Sequence, residues 1–105
     1  MLLKEQILLK IKEQILAVLP GSTVILFGSR VDDTFSEESD WDILVLTNTS
    51  SVLPSAKKEI HNKVFPLSVS LGTFINLLVV TNSDWQNNPS YYSLKHSIGA
   101  NKVVL

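Results

Sequence analysis

Apolar positions along the chain change their period several times, and each change marks a new element. Leu3, Ile7, Leu8, Ile11, Ile15, Leu16 and Leu19 recur at helical spacing with charged residues between them. Pro20-Gly21 ends that pattern, which predicts an amphipathic helix over residues 2–19. Val24-Ile25-Leu26-Phe27 is short, apolar and partly β-branched, and it stops at Gly28-Ser29, as a buried strand does. Residues 42–47 read as a second such strand, closed by the polar run 48–51. Helical spacing returns over 54–65 through Ala56, Ile60 and Val64, with Pro54 suited to a first turn. Pro66 interrupts this helix and leaves 67–71 unassigned. Residues 74–81 form the third strand, and 82–89 a loop or one helical turn. A helix follows over 91–98, and Val103-Val104-Leu105 reads either as a short strand or as a tail packed on a helix.

Strands alternating with helices predict an α/β domain in which helices pack against a small mixed sheet. At 105 residues the chain makes one domain, 1–105, with a single core. Its hydrophobic share of 45% is rich for that size, so some apolar surface stays available for a homo-oligomer or a partner protein. A net charge of −1 gives no broad basic surface and no direct sign of nucleic-acid binding. Cysteine is absent, which excludes disulfides and thiolate-metal sites and fits a reducing compartment. Lys4, Glu5, Lys10, Lys12 and Glu13 break up the N-terminal stretch, so it is not the core of a signal peptide. No stretch has the length of a membrane span, and the expectation is a soluble cytoplasmic protein. There are no repeats or low-complexity segments.

Charge changes the picture most in residues 24–46, VILFGSRVDDTFSEESDWDILVL. Six of the ten acidic residues fall here: Asp32, Asp33, Glu37, Glu38, Asp40 and Asp42. The first four read as solvated helix surface and receive no role. Asp40 and Asp42 are two apart, so on a strand both project from one face while Trp41 points the other way, into the core. Like charges side by side repel, and solvent, a proton or a divalent cation relieves them. Mg²⁺ takes oxygen ligands, typically one or two protein carboxylates together with substrate phosphates.

The segment 28–40 suits a short helix after the first strand, which puts Gly28-Ser29 at a strand-to-helix turn. Gly28 lets the backbone approach a ligand, amides at a helix N-terminus and the Ser29 hydroxyl can bind phosphate oxygens, and Arg30 adds a nearby positive charge. A lone D-x-D pair is usually just solvated, and a lone Gly-Ser is simply a turn. Their combination is more specific.

Gly28-Ser29, ten intervening residues and then Asp40-Trp41-Asp42, flanked by apolar strands, resemble the signature of the DNA polymerase β-like nucleotidyltransferase superfamily. The wording LFGSR and SDWDILV is most similar to the minimal nucleotidyltransferase, or MNT, subfamily. The resemblance implies a nucleoside triphosphate, ATP by preference, bound through Mg²⁺ and open to a two-metal arrangement. It implies that Asp40 and Asp42 hold the metal, that Ser29 contacts the β and γ phosphates, and that a third carboxylate on the next strand assists. The implied chemistry is in-line attack of a hydroxyl on the α-phosphorus with loss of pyrophosphate. Small MNT proteins are often encoded beside HEPN-domain proteins, as antitoxins that modify the toxin on a tyrosine. A HEPN-domain partner is thus implied as acceptor.

Two departures stand against the pattern. The position of the third carboxylate matches Asn76, the only polar residue within 74–80. An amide keeps an acceptor oxygen but carries no charge and is no base at neutral pH. Losses at comparable electrostatic positions cost about 100-fold or more in rate. Val31-Asp32-Asp33 also replaces the Ala-Arg-Gly that family members often carry. Asn76 is compatible with a slow transferase, with an inactive binding module, or with a third strand aligned elsewhere. Glu59 and Asp84 are the nearest substitute carboxylates, and neither lies on a strand face with the pair. Two functions result: a Mg²⁺-dependent nucleotidyltransferase acting on a partner protein, or an antitoxin or regulatory subunit of the same fold that acts by contact. His61, beside Lys57, Lys58 and Lys63, reads as solvated surface, and His96 as a surface or partner contact.

Overall fold

The computed structural model describes residues 3–31 and 39–105. Its elements in chain order are α1 (Lys4–Val18), β1 (Thr23–Phe27), β2 (Trp41–Thr47), α2 (Pro54–Leu71), β3 (Ile75–Thr81), α3 (Asn82–Asn87), α4 (Tyr92–Ile98) and β4 (Lys102–Val104). Two 3₁₀ turns, Gly28–Val31 and Pro89–Tyr91, connect them.

One mixed sheet carries the strands in the order β3-β2-β1-β4. β1 pairs antiparallel with both β2 and β4, while β2 and β3 run parallel. A parallel neighbour cannot be reached through a tight turn, and α2 supplies the crossover from β2 to β3.

Alternation along the strands gives the sheet two apolar faces. Val24, Leu26, Trp41, Ile43, Val45 and Val79 turn toward Ile7, Leu8, Ile11 and Ile15 of α1 and Ile60 and Val64 of α2. Ile25, Leu44, Leu46 and Val80 occupy the other face, where Trp85 and Tyr91 pack against them. The main core thus lies between the sheet and α1 and α2. The fold is the α/β arrangement read from the sequence, and among the described residues no helix is long and apolar enough to cross a membrane.

Element ends follow local chemistry. The Gln6 side chain accepts from the Leu3 N–H at 2.9 Å, satisfying a main-chain donor at the start of α1. Thr81 accepts from the Asp84 N–H at 3.0 Å and so starts α3 directly after β3. Gly72 closes α2 in the left-handed conformation, with φ of 71°.

Two expectations change and one alternative resolves. α2 runs through Pro66 to Leu71 instead of stopping at residue 65. Leu67 and Leu71 pack against the main core, and that burial holds the last turns despite the missing proline N–H. Of the short helix expected over 28–40, Gly28–Val31 form a 3₁₀ turn, while residues 32–38, and with them the solvated-helix reading of Asp32, Asp33, Glu37 and Glu38, lie outside the described residues. The C-terminal alternative resolves to a strand. β4 pairs Ile25 with Val104, Leu26 with Val103 and Phe27 with Lys102, and the Leu105 N–H extends the ladder to the Val24 carbonyl at 2.8 Å.

Candidate functional site

β1 ends at Phe27, and the chain turns at Gly28 with φ of 79°, a conformation that L side chains rarely adopt. A second constraint acts on the same residue. A Cβ at position 28 would run into Oδ2 of Asp42 and lie 3.3 Å from its Cγ. The carboxylate thus rests against the turn's backbone, and only glycine leaves room for it. Ser29 follows, exposed beside this contact.

Asp40 immediately precedes β2, and Asp42 is its second residue. Trp41 between them is 3% exposed and points into the main core, so the carboxylates face the other side as the period of two requires. Across the parallel ladder Asp42 is the register partner of Asn76. The Asn76 amide Nδ2 donates to Oδ2 of Asp40 at 3.1 Å and to Oδ1 of Asp42 at 3.1 Å. The Trp41 N–H donates to the Phe74 carbonyl at 2.9 Å and locks this register one step earlier. Asn76 therefore sits beside the carboxylate pair, on the strand next to it. Glu59 is exposed on α2, which covers the opposite face, and Asp84 lies in the first turn of α3, at the far end of β3. Neither joins the pair.

Arg30, expected to add a positive charge near the phosphates, is only 7% exposed. Nε and Nη2 both donate to the Ser39 carbonyl, at 3.0 and 2.7 Å, and the guanidinium lies 4.4 Å from the Trp41 ring centroid. Arg30 thereby contacts both neighbours of Asp40, Ser39 through its carbonyl and Trp41 through its ring. The Lys4 ammonium donates to the Val31 carbonyl at 3.3 Å and ties the end of the 3₁₀ turn to α1. Local sequence gives no signal for the Arg30 brace, because Ser39 and Trp41 reach it only once β2 has folded back along β1.

The expectations for the remaining residues divide simply. Trp41 is core, as its place opposite the carboxylates requires. His61 and His96 are exposed on α2 and α4. Among the described residues no three His, Cys, Asp or Glu side chains gather as a metal-binding group, so the site offers two carboxylates and one amide.

This donor set has a definite chemical capacity. Two carboxylates reach a single amide nitrogen at equal distance, so one small electropositive centre can serve both. Oxygen ligands from two carboxylates suit a hard divalent cation that completes its shell with phosphate and water. The adjoining turn offers main-chain amides and a hydroxyl within the same patch of surface. The family model for polymerase beta, nucleotidyltransferase, matches residues 6–92, a span that holds Gly28, Ser29, Asp40, Asp42 and Asn76. No curated protein matches the chain.

Proposed function

Because the chain belongs to the polymerase beta nucleotidyltransferase family, we propose that it binds a nucleoside triphosphate with Mg²⁺ and transfers the nucleoside monophosphate to a hydroxyl. The observation that carries this reading is the contact of Asp42 with the Gly28 turn, which sets a carboxylate of the pair against the backbone that leads into Ser29. Asp40 and Asp42 would hold the metal, while the Gly28 backbone and the Ser29 hydroxyl meet phosphate oxygens. Mg²⁺ bound there supplies positive charge against the phosphates and polarises the phosphoryl group.

The acceptor oxygen forms a bond to the α-phosphorus, and the bond from that phosphorus to the bridging oxygen breaks. Pyrophosphate leaves with the electron pair. The hydroxyl proton must go to a carboxylate of the pair or to water, since the Asn76 amide cannot take it at neutral pH. Turnover is accordingly slow.

The finer assignment has ATP as donor and a partner protein's hydroxyl as acceptor. The LFGSR and SDWDILV motifs favour an MNT-type antitoxin that acts on a HEPN-domain partner in the cytoplasm. One observation favours a second reading. Asn76 occupies the pair with its donor group, which suits a module that binds its partner and no longer catalyses.

Calorimetric titration with ATP, with and without Mg²⁺, tests the first reading against an Asp40→Asn/Asp42→Asn variant. Binding that needs Mg²⁺ and disappears in the variant supports it, and pyrophosphate release on adding a HEPN-domain protein extends it to transfer. Binding without release supports the contact-acting module. The absence of Mg²⁺-dependent binding overturns the nucleotide site.

A further inference from the structure

A triphosphate beside two carboxylates gains from a side-chain cation as well as from metal, and the chain has nine lysines and arginines with which to provide one. Their positions are all known. Lys10 and Lys12 lie on α1 and Lys57, Lys58 and Lys63 on α2, the two helices that cover the opposite face of the sheet. Lys4 is taken up by the Val31 carbonyl, and Arg30 by Ser39 and Trp41. Lys95 lies over Trp85, 5.8 Å from its ring centroid, beside the part of the sheet face that Trp85 packs on. Lys102 is what remains.

The register places Lys102 in the same row as the site. Asn76 pairs with Asp42, Asp42 with Phe27, and Phe27 with Lys102. Residues directly opposite in a ladder share a face, so these four side chains rise from one side across all the strands of the sheet. Phe27 confirms which side, since it packs with Ile25 and Leu44 and away from α1 and α2. The Gly28–Val31 turn lies against β4, so Lys102 flanks Gly28-Ser29 on one side while Asp42 flanks it on the other. Two strand spacings put the backbones of residues 42 and 102 about 10 Å apart. A group on the Gly28-Ser29 turn between them is within range of a lysine, whose ammonium rides on a flexible four-carbon stem. Lys102 is exposed, and its ammonium has no hydrogen bond, ion pair or ring contact among the described residues. It also lies outside the span 6–92 that the family model covers.

We propose that Lys102 is a phosphate-binding residue of the nucleotide site, its ammonium meeting the β and γ phosphates from the side opposite Asp40 and Asp42. This inference rests on the nucleotide-binding reading above and adds to it a residue from the last strand. Because the contact is to the terminal phosphates, it favours triphosphate over monophosphate and leaves the base unread.

Affinities of the full chain for ATP and AMP in Mg²⁺ decide the matter, measured for the parent protein and for Lys102→Ala, Lys102→Arg and Lys63→Ala. Lys102→Ala should weaken ATP binding about tenfold or more, with AMP changed less than twofold. Lys102→Arg should restore most of the loss, and Lys63→Ala on the far face should change neither. Thermal melting of each variant, expected to match the parent because residue 102 is exposed on a short edge strand, separates lost contact from lost fold. Parent-like ATP affinity in Lys102→Ala overturns the role of Lys102 and leaves the nucleotide site standing. A parent protein that binds no ATP in Mg²⁺ overturns both.

Discussion

Asn76 stands directly across the β2–β3 ladder from Asp42, with its amide nitrogen 3.1 Å from the aspartate's Oδ1. The same nitrogen reaches Asp40 at 3.1 Å, so one neutral donor separates two negative charges. Replacing it with a third carboxylate reverses the interaction. Asn76→Asp should melt about 4–8 °C lower in EDTA, the shift that ~1 kcal/mol gives a domain of this size. Mg²⁺ should return the loss, and the variant should bind Mg²⁺ more tightly than the parent. Equal melting of the two proteins in EDTA would remove the amide from any such role.

Gly28 is constrained twice, by its positive φ and by Asp42 against its Cα. Gly28→Ala should cost about 2 kcal/mol, combining the left-handed penalty with displacement of the carboxylate. It should also abolish Mg²⁺-dependent ATP binding. Urea unfolding gives the first quantity and calorimetry the second. A variant that is destabilised yet binds normally would show that Asp42 can move aside.

Arg30→Lys keeps the charge and removes the planar fork that holds the Ser39 carbonyl. We expect a loss of about 1.5–3 kcal/mol in urea unfolding, the range for hydrogen bonds from charged groups. ATP affinity should fall as well, because the Ser39 carbonyl beside Asp40 is no longer held. A lysine that preserves both would mean that charge alone matters at position 30.

Pro66 sits inside α2 at an exposed position and takes one hydrogen bond from the helix. Pro66→Ala should stabilise the protein by about 2 kcal/mol. The interior penalty of proline, ~3 kcal/mol, is partly offset by the stiffness proline gives the unfolded chain. A rise in melting temperature is the expected result, and a fall would mean that the helix needs the bend.

The parts of this molecule that were legible in the sequence are those written in short-range pattern. Val24–Phe27 and residues 42–47 announce strands because an apolar run of that length has few other uses. The spacing of Gly28-Ser29 and Asp40/Asp42 is equally local, and the turn and the pair do meet. Pro66 misleads because a proline's effect on a helix depends on what the following residues bury, and Leu67 and Leu71 find the core only in three dimensions. The contacts of Arg30 are hidden for the same reason, since nothing near it in sequence reveals that it reaches a carbonyl at residue 39 and an indole at 41. Lys102 is the extreme case. Its relation to Asp42 passes through two strand pairings, and no local pattern encodes that register.

The parallel pairing of β2 with β3 also sets an order in time. Asp40 and Asp42 are neighbours as soon as β2 extends, but Asn76 joins them only after the α2 crossover has closed a loop of more than thirty residues. Lys102 arrives by a separate closure, when β4 zips onto the far side of β1. A chain that pairs β1 with β2 before this crossover closes would hold the two carboxylates together without their amide, on a strand with one free edge. Any cation that binds the pair at that stage would speed the closure of the sheet, so metal concentration should appear in the refolding rate as well as in the stability of the finished domain.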